Sequence, residues 1–183
     1  IRARYDIPFG SIERPHRNGQ EVPAIGWASL SGTVDGKEAG LVLVNDYQHG
    51  HALDENCLRL HLIRSSYAPD PLPEIGEHEM QLRLGPTLGP ATPAEANRRA
   101  AAQHHPLVPT GTDAHKGELP DAAAFLTVAG DGIELSGLKR AETGDGLIVR
   151  VYETAGNESE ACVTPNHPLL GRVTAACEPD PLE

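Results

Sequence analysis

Two histidines one residue apart, His49-Gly50-His51, sit with Asp46, Asp54 and Glu55 in the stretch LVLVNDYQHGHALDENCLRLHLIRSS, Leu41 to Ser66. Imidazole nitrogens and carboxylate oxygens are metal ligands, and they are also the groups of general acid–base catalysis. On a strand, residues i and i+2 share a face, so the two rings could meet one ion while Asp46 or Asp54 adds an oxygen. A third firm ligand at a usual spacing is missing, and Gly50 between the rings favours a turn. The stretch therefore reads as two apolar strands joined by a polar loop, and no metal ligand is assigned in it.

The other histidines have simpler explanations. His104 and His105 close a helical stretch, where cationic side chains suit the helix C-terminus. His78 lies between Glu77 and Glu79 at a strand start and reads as a surface hydrogen-bonding group. No GxSxG, P-loop, GxGxxG or HExxH pattern occurs. Acids are plentiful, but none stands out as the carboxylate pair of a glycosidase. No catalytic residue is assigned.

Strand signals surround these groups. Arg2–Phe9, Val22–Leu30, Gly40–Val44, Leu58–Ile63 and Glu79–Leu84 come first, then Phe125–Val128, Ile133–Leu138 and Leu147–Tyr152. Val163 and Val173–Ala175 are weaker candidates. Asp145-Gly146 immediately before LIVRVY suggests a tight hairpin back to Ile133–Leu138. Trp27 and Phe125 fall in strand patterns and are assigned to the core. One short helix is expected near 93–103, with Thr92 as N-cap, Pro93 just inside and Glu95 in the first turn. Residues 105–121 read as loop. Many short strands separated by turns mean an all-β sandwich, taken as a single domain over 1–183.

Composition narrows the function classes. A formal net charge of −11 argues against a nucleic-acid partner. No stretch reaches the roughly 20 apolar residues of a membrane span. Cys57, Cys162 and Cys177 are odd in number and form no CxxC pair, so a disulfide framework or zinc knuckle is not expected. They are assigned as small buried hydrophobes in a reducing, cytoplasmic protein. The chain opens on Ile1 and holds one methionine, Met80, as an excised piece of a larger protein would. Leu182-Glu183 reads either as native or as a cloning remnant.

Five stretches taken in order carry a family likeness: DIPFGSIERP (Asp6 to Pro15), EVPAIGW (Glu21 to Trp27), GLVLVNDYQHG (Gly40 to Gly50), NCLRLHLIRSSYAPDPLPEIGEHEMQLRLGP (Asn56 to Pro86) and LKRAETGDGLIVRVYE (Leu138 to Glu153). Together they resemble the C-terminal β-domain of family 38 glycoside hydrolases, the retaining α-mannosidases, and look most like the bacterial and cytosolic branch. The pattern has Asn45-Asp46 after an apolar strand, then Gly50, Leu60–Arg64, Pro69-Asp70 and Gly76-Glu77-His78. Thr87 departs from it, since a histidine is expected after Pro86.

The resemblance implies an antiparallel supersandwich of the galactose-mutarotase-like kind, here an incomplete C-terminal part of a larger bacterial or cytosolic enzyme. Its partner would be an N-terminal catalytic barrel on the same parent chain. That barrel would carry the aspartate nucleophile, the acid/base carboxyl and a zinc ion that holds the mannose hydroxyls. No cofactor is assigned to this chain. The resemblance also implies a rim role for the opening loop, with Asn45, Asp46 and His49 hydrogen-bonding mannoside hydroxyls or the barrel wall. A docking face left open would let the chain pair with a second copy. The alternative function is a stand-alone carbohydrate-binding module, which needs exposed aromatic platforms.

Overall fold

A computed structural model describes residues 1–15, 20–71, 74–166, 170 and 173–178. They gather into two compact units, one formed by Ile1–Val108 with Thr154–Gly156 and the other by Pro109–Glu153 with Asn157–Glu183. The terminal Leu182-Glu183 lies outside the described residues. No helix among the described residues is long and apolar enough to cross a membrane.

The first unit is a β-sandwich with one helix. Its larger sheet runs β2-β1-β4-β5-β8, all antiparallel, from β1 (Arg2–Ile7), β2 (Gly10–Glu13), β4 (Trp27–Val34), β5 (Lys37–Asn45) and β8 (Leu82–Leu88). The smaller sheet is β3-β6-β7, from β3 (Glu21–Pro23), β6 (Gly50–Asp54) and β7 (Cys57–Leu60). Helix α1 spans Pro93–His104.

Period-two alternation sends neighbouring residues to opposite faces of the large sheet. Trp27, Val42 and Val44 point one way and meet Ala91, Ala96 and Ala100 of the helical segment. Ala3, Tyr5 and Ala28 point the other way and meet Ala24 and Leu53, with Val22, Leu30 and Leu58 packed alongside. The helix presents small alanines, which let it approach the sheet closely. Trp27, 1% exposed, satisfies its indole N–H on Asn97 Oδ1 at 2.8 Å. The helix starts where the sequence signals it: Thr92 Oγ1 accepts the Glu95 N–H at 3.3 Å. The hairpin from β4 to β5 turns through Asp35 and Gly36, both at positive φ, as a two-residue loop requires.

The second unit holds two antiparallel pairs. β10 (Ile133–Arg140) pairs with β11 (Leu147–Glu153), and β9 (Leu126–Ala129) with β12 (Cys162–Pro165). No hydrophobic side chain described in this unit is fully buried; Leu135, Leu138, Leu147, Ile148 and Val149 are each more than a third exposed.

Several expectations need correcting. The stretch from Leu41 to Ser66 holds three strands, because Gly50–Asp54 is itself a strand. His51 and Asp54 therefore belong to β6 and not to a loop. Gly50 lies opposite Pro23, and Leu53 in the same strand supplies the core contact that fixes the register. Val22–Leu30 splits into β3 and β4, since Ala24–Gly26 crosses from one sheet to the other. The β10–β11 hairpin forms, but its connection is the longer Ala141–Gly146, closed by Ala141 N–H on Gly146 O at 2.8 Å. Gly144 takes the positive φ there, so Asp145-Gly146 is not the turn. Val173–Ala175 forms no strand. Phe125 is half exposed, lying just before β9 in the unit without a closed core. All three cysteines are exposed free thiols, Cys57 at an edge strand and Cys162 and Cys177 in the thin second unit.

His51 is wholly buried, edge-on to Tyr5 with ring centroids 6.3 Å apart. Its Nδ1–H donates to His49 O at 3.3 Å, while Nε2 is buried with no protein partner. Burial pushes its pKa below the ordinary 6.5, despite the opposing hydrogen bond to His49.

Replacing Thr92 by alanine removes a cap and should lower the stability of the first unit by about 1 kcal/mol, read from the urea midpoint at unchanged m-value. The sign for His51 follows from proton linkage. The unfolded chain protonates this ring as pH falls through about 6.5, whereas the fold holds it neutral to lower pH. Its contribution is therefore complete above that value and is lost as pH falls toward the folded-state pKa. His61 is shifted up by Glu21 and acts in the opposite sense, but it is present in both proteins compared. Urea midpoints taken from about pH 8 to about pH 5.5 should fall more steeply for the wild type than for His51→Gln. Parallel curves would refute this.

Candidate functional site

The connection between β5 and β6 is short, so its shape must be held from outside. Asn45, the last residue of β5, is wholly buried and supplies most of that support. Its backbone N–H donates to Gly26 O at 3.0 Å. Its Nδ2 donates to Ile25 O at 3.1 Å and to Gln48 O at 2.8 Å, the latter closing the turn on itself. Its carbonyl accepts from His104 Nε2 at 2.7 Å. An asparagine suits this position because only a short amide offers two donors so close to its own backbone.

Asp46 is half-buried and both its oxygens are engaged. Oδ2 accepts the Gln81 N–H at 2.7 Å and Oδ1 accepts Gln103 Nε2 at 2.9 Å. Tyr47 is 59% exposed, and its hydroxyl donates to Glu79 O at 2.7 Å. His49 is exposed, and its ring is oriented by Nδ1–H on Ala24 O at 3.1 Å, next to the backbone bond from Ala24 N–H to His49 O at 3.0 Å.

Of the three residues expected at a rim, His49 reaches open surface, Asp46 braces the turn, and Asn45 lies beneath it. His49 opens on a cleft of about 250 Å³ together with Glu21, Tyr47, Gln48, His61, Leu62 and Arg64. His61 is held there by two hydrogen bonds. Its Nδ1 lies 2.8 Å from Glu21 Oε1 and its Nε2 2.8 Å from Ile63 O. Two acceptors favour the doubly protonated ring, and the Glu21 hydrogen bond is the main cause of its raised pKa. Gly50 leaves room for this ring, since a Cβ there would lie 3.1 Å from His61 Cβ.

His49 and His51 do not converge on a metal. One ring is exposed and tied to Ala24 O, while the other is buried against Tyr5. Among the described residues, no group of three or more His, Cys, Asp or Glu side chains is placed to hold a metal ion. The stretch is instead marked by unmet hydrogen-bonding capacity. Asn45 Oδ1, Gln48 Nε2 and His51 Nε2 are all buried without a protein partner. Buried polar atoms are nearly always paired with protein or water, so ordered water is the expected partner of each of the three.

Sequence reasoning missed Glu21, Gln48, His61 and Arg64. The alternation of His61 with Leu60 and Leu62 placed it on a strand face, but only the pairing of β3 with β6 brings Glu21 beside it. His78, expected to make a surface hydrogen bond, does so through Nε2 on Glu74 O at 2.8 Å. His104 does more than cap the helix, because it reaches the end of β5.

Comparison with known proteins assigns two family models to the chain. Residues 1–72 match the model of the glycosyl hydrolases family 38 C-terminal domain. Residues 132–180 match that of the glycosyl hydrolases family 38 C-terminal beta sandwich domain. Alpha-mannosidase 2C1 of Mus musculus is 28% identical over 179 residues, covering 92% of this chain and 17% of the mouse protein. Alpha-mannosidase 2C1 of Homo sapiens is 30% identical over 166 residues, 85% of this chain and 15% of that protein. Alpha-mannosidase G of Dictyostelium discoideum is 28% identical over 162 residues, 84% of this chain and 14% of that protein. The chain thus spans about a sixth of the length of the curated relatives it matches. With both family models matched in order and relatives aligned along most of its length, this chain belongs to the family 38 glycosyl hydrolases, as a C-terminal part.

Proposed function

We propose that this chain is the accessory C-terminal β-domain of an α-mannosidase, and that glycoside cleavage is carried out by the rest of its parent polypeptide. The observation that carries the reading is the coverage: nearly all of this chain aligns with proteins named alpha-mannosidase, yet only 14–17% of their length is accounted for. The remainder would supply the two carboxyl groups of a retaining mechanism and a zinc ion that orients the sugar hydroxyls. Such an enzyme would work in the cytoplasm, a reading supported by three exposed thiols that form no disulfide.

In that enzyme the β5–β6 connection forms part of the substrate rim. His49 offers its ring to a sugar hydroxyl at the cleft, and Asn45 and Asp46 hold the connection that presents it. The unpartnered Gln48 Nε2 beneath the cleft supports a hydroxylated ligand there. The exposed ring of Tyr47 on the same cleft favours one other reading, a carbohydrate-binding module that takes up saccharides by itself. Calorimetric titration of the 183-residue chain with mannose oligosaccharides separates the two: heat from a saturable site favours the module.

The 183-residue chain, with zinc added, should release no aryl alcohol from an aryl α-mannoside. Turnover by this chain alone would overturn the proposal. In the parent enzyme, His49→Ala should raise KM for the same substrate roughly three- to tenfold with kcat nearly unchanged, as expected when a uniform binding contact is lost.

A further inference from the structure

Helix α1 carries two alanines, Ala96 and Ala100, that bury against the large sheet. The next position on that stripe, three residues on, is Gln103. A polar amide there adds nothing to apolar packing, and its bonds run elsewhere. Gln103 Nε2 donates both to Asp46 Oδ1 and to Gln81 O, each at 2.9 Å. The Gln81 N–H in turn donates to Asp46 Oδ2 at 2.7 Å. These three bonds form a closed ring joining the helix, the β5–β6 connection and the residue just before β8. Both hydrogens of the amide and both oxygens of the carboxylate are used in it. The bonds to a carboxylate are charge-assisted and directional, so they fix position as well as adding strength.

His104 extends the brace. Its ring donates to Asn45 O and lies against Gly26, where a Cβ would come within 2.7 Å of His104 Cε1. The end of the helix and the start of the connection are therefore built to fit one another.

We propose that Gln103 is a positioning residue, which sets the β5–β6 connection so that His49 is presented to substrate. The inference rests on the rim reading above and goes beyond it by assigning a part to the helix. Gln103 itself touches no substrate and acts through Asp46.

The test is a double-mutant cycle in the parent enzyme, with an aryl α-mannoside as substrate. Gln103→Leu keeps the volume and removes both bonds, and kcat/KM should fall about three- to fivefold, through KM, and by no more than His49→Ala costs. In a His49→Ala background the same substitution should cost less than about twofold, because the group being positioned is gone. Arg98→Leu, on the exposed side of the same helix, should leave kcat/KM unchanged. If Gln103→Leu does not fold, Gln103→Asn keeps the amide but shortens its reach, and it is read in the same cycle. A silent Gln103 variant beside a damaging His49→Ala would sink the positioning role and leave the rim intact. Equal losses in both backgrounds would also sink it, because they would mean a general effect on the fold. A silent His49→Ala would remove the rim and the positioning role together.

Discussion

A buried asparagine at the end of β5 is the constraint on which the rest of this site depends. Asn45 lies where the chain leaves the large sheet and must enter the small one. Its backbone N–H, its carbonyl and both hydrogens of its amide are committed, to Gly26, His104, Ile25 and Gln48. Leaving any of these groups buried and unpaired would cost on the order of 1–3 kcal/mol, so the connection has one favourable shape. The exposed ring of His49 and the cleft beside it follow from that shape. The same compactness leaves some polar atoms without protein partners, and this distinguishes the stretch from an ordinary hairpin turn.

The two units differ in how completely they close. The first buries a two-sided sheet, with alanines and Trp27 against the helix and a second cluster against β3, β6 and β7. The second consists of paired ribbons whose large side chains stay partly in contact with solvent. Two-stranded ribbons are marginal alone in water. The curated relatives that this chain matches are about six times its length.

Much of the fold was legible in the sequence because local rules decided it. Thr92, Pro93 and Glu95 mark the helix start through capping geometry alone. The alternation in LIVRVY marks β11, and Trp27 is core as expected. The errors arose where tertiary contacts overrule local signals. Gly50 reads as a turn residue, yet it is a strand residue because Pro23 lies opposite and His61 needs the space. The cysteines read as buried because free thiols usually are, but theirs are edge and thin-unit positions. The candidate site was half visible. Asn45, Asp46 and His49 are consecutive enough to notice, whereas Glu21, His61 and Gln103 are brought beside them only by strand pairing and by the helix. No spacing rule connects residues 21, 46, 61 and 103.

The proposed rim role requires the β5–β6 connection to face substrate in the parent enzyme. Hydrogen–deuterium exchange on the full parent protein, with and without a tight mannoside-mimicking inhibitor, reports this most directly. Slowed exchange in peptides spanning 45–50 and 60–64 is the result the proposal predicts. Unchanged exchange at 45–50 on saturation with the inhibitor would contradict it.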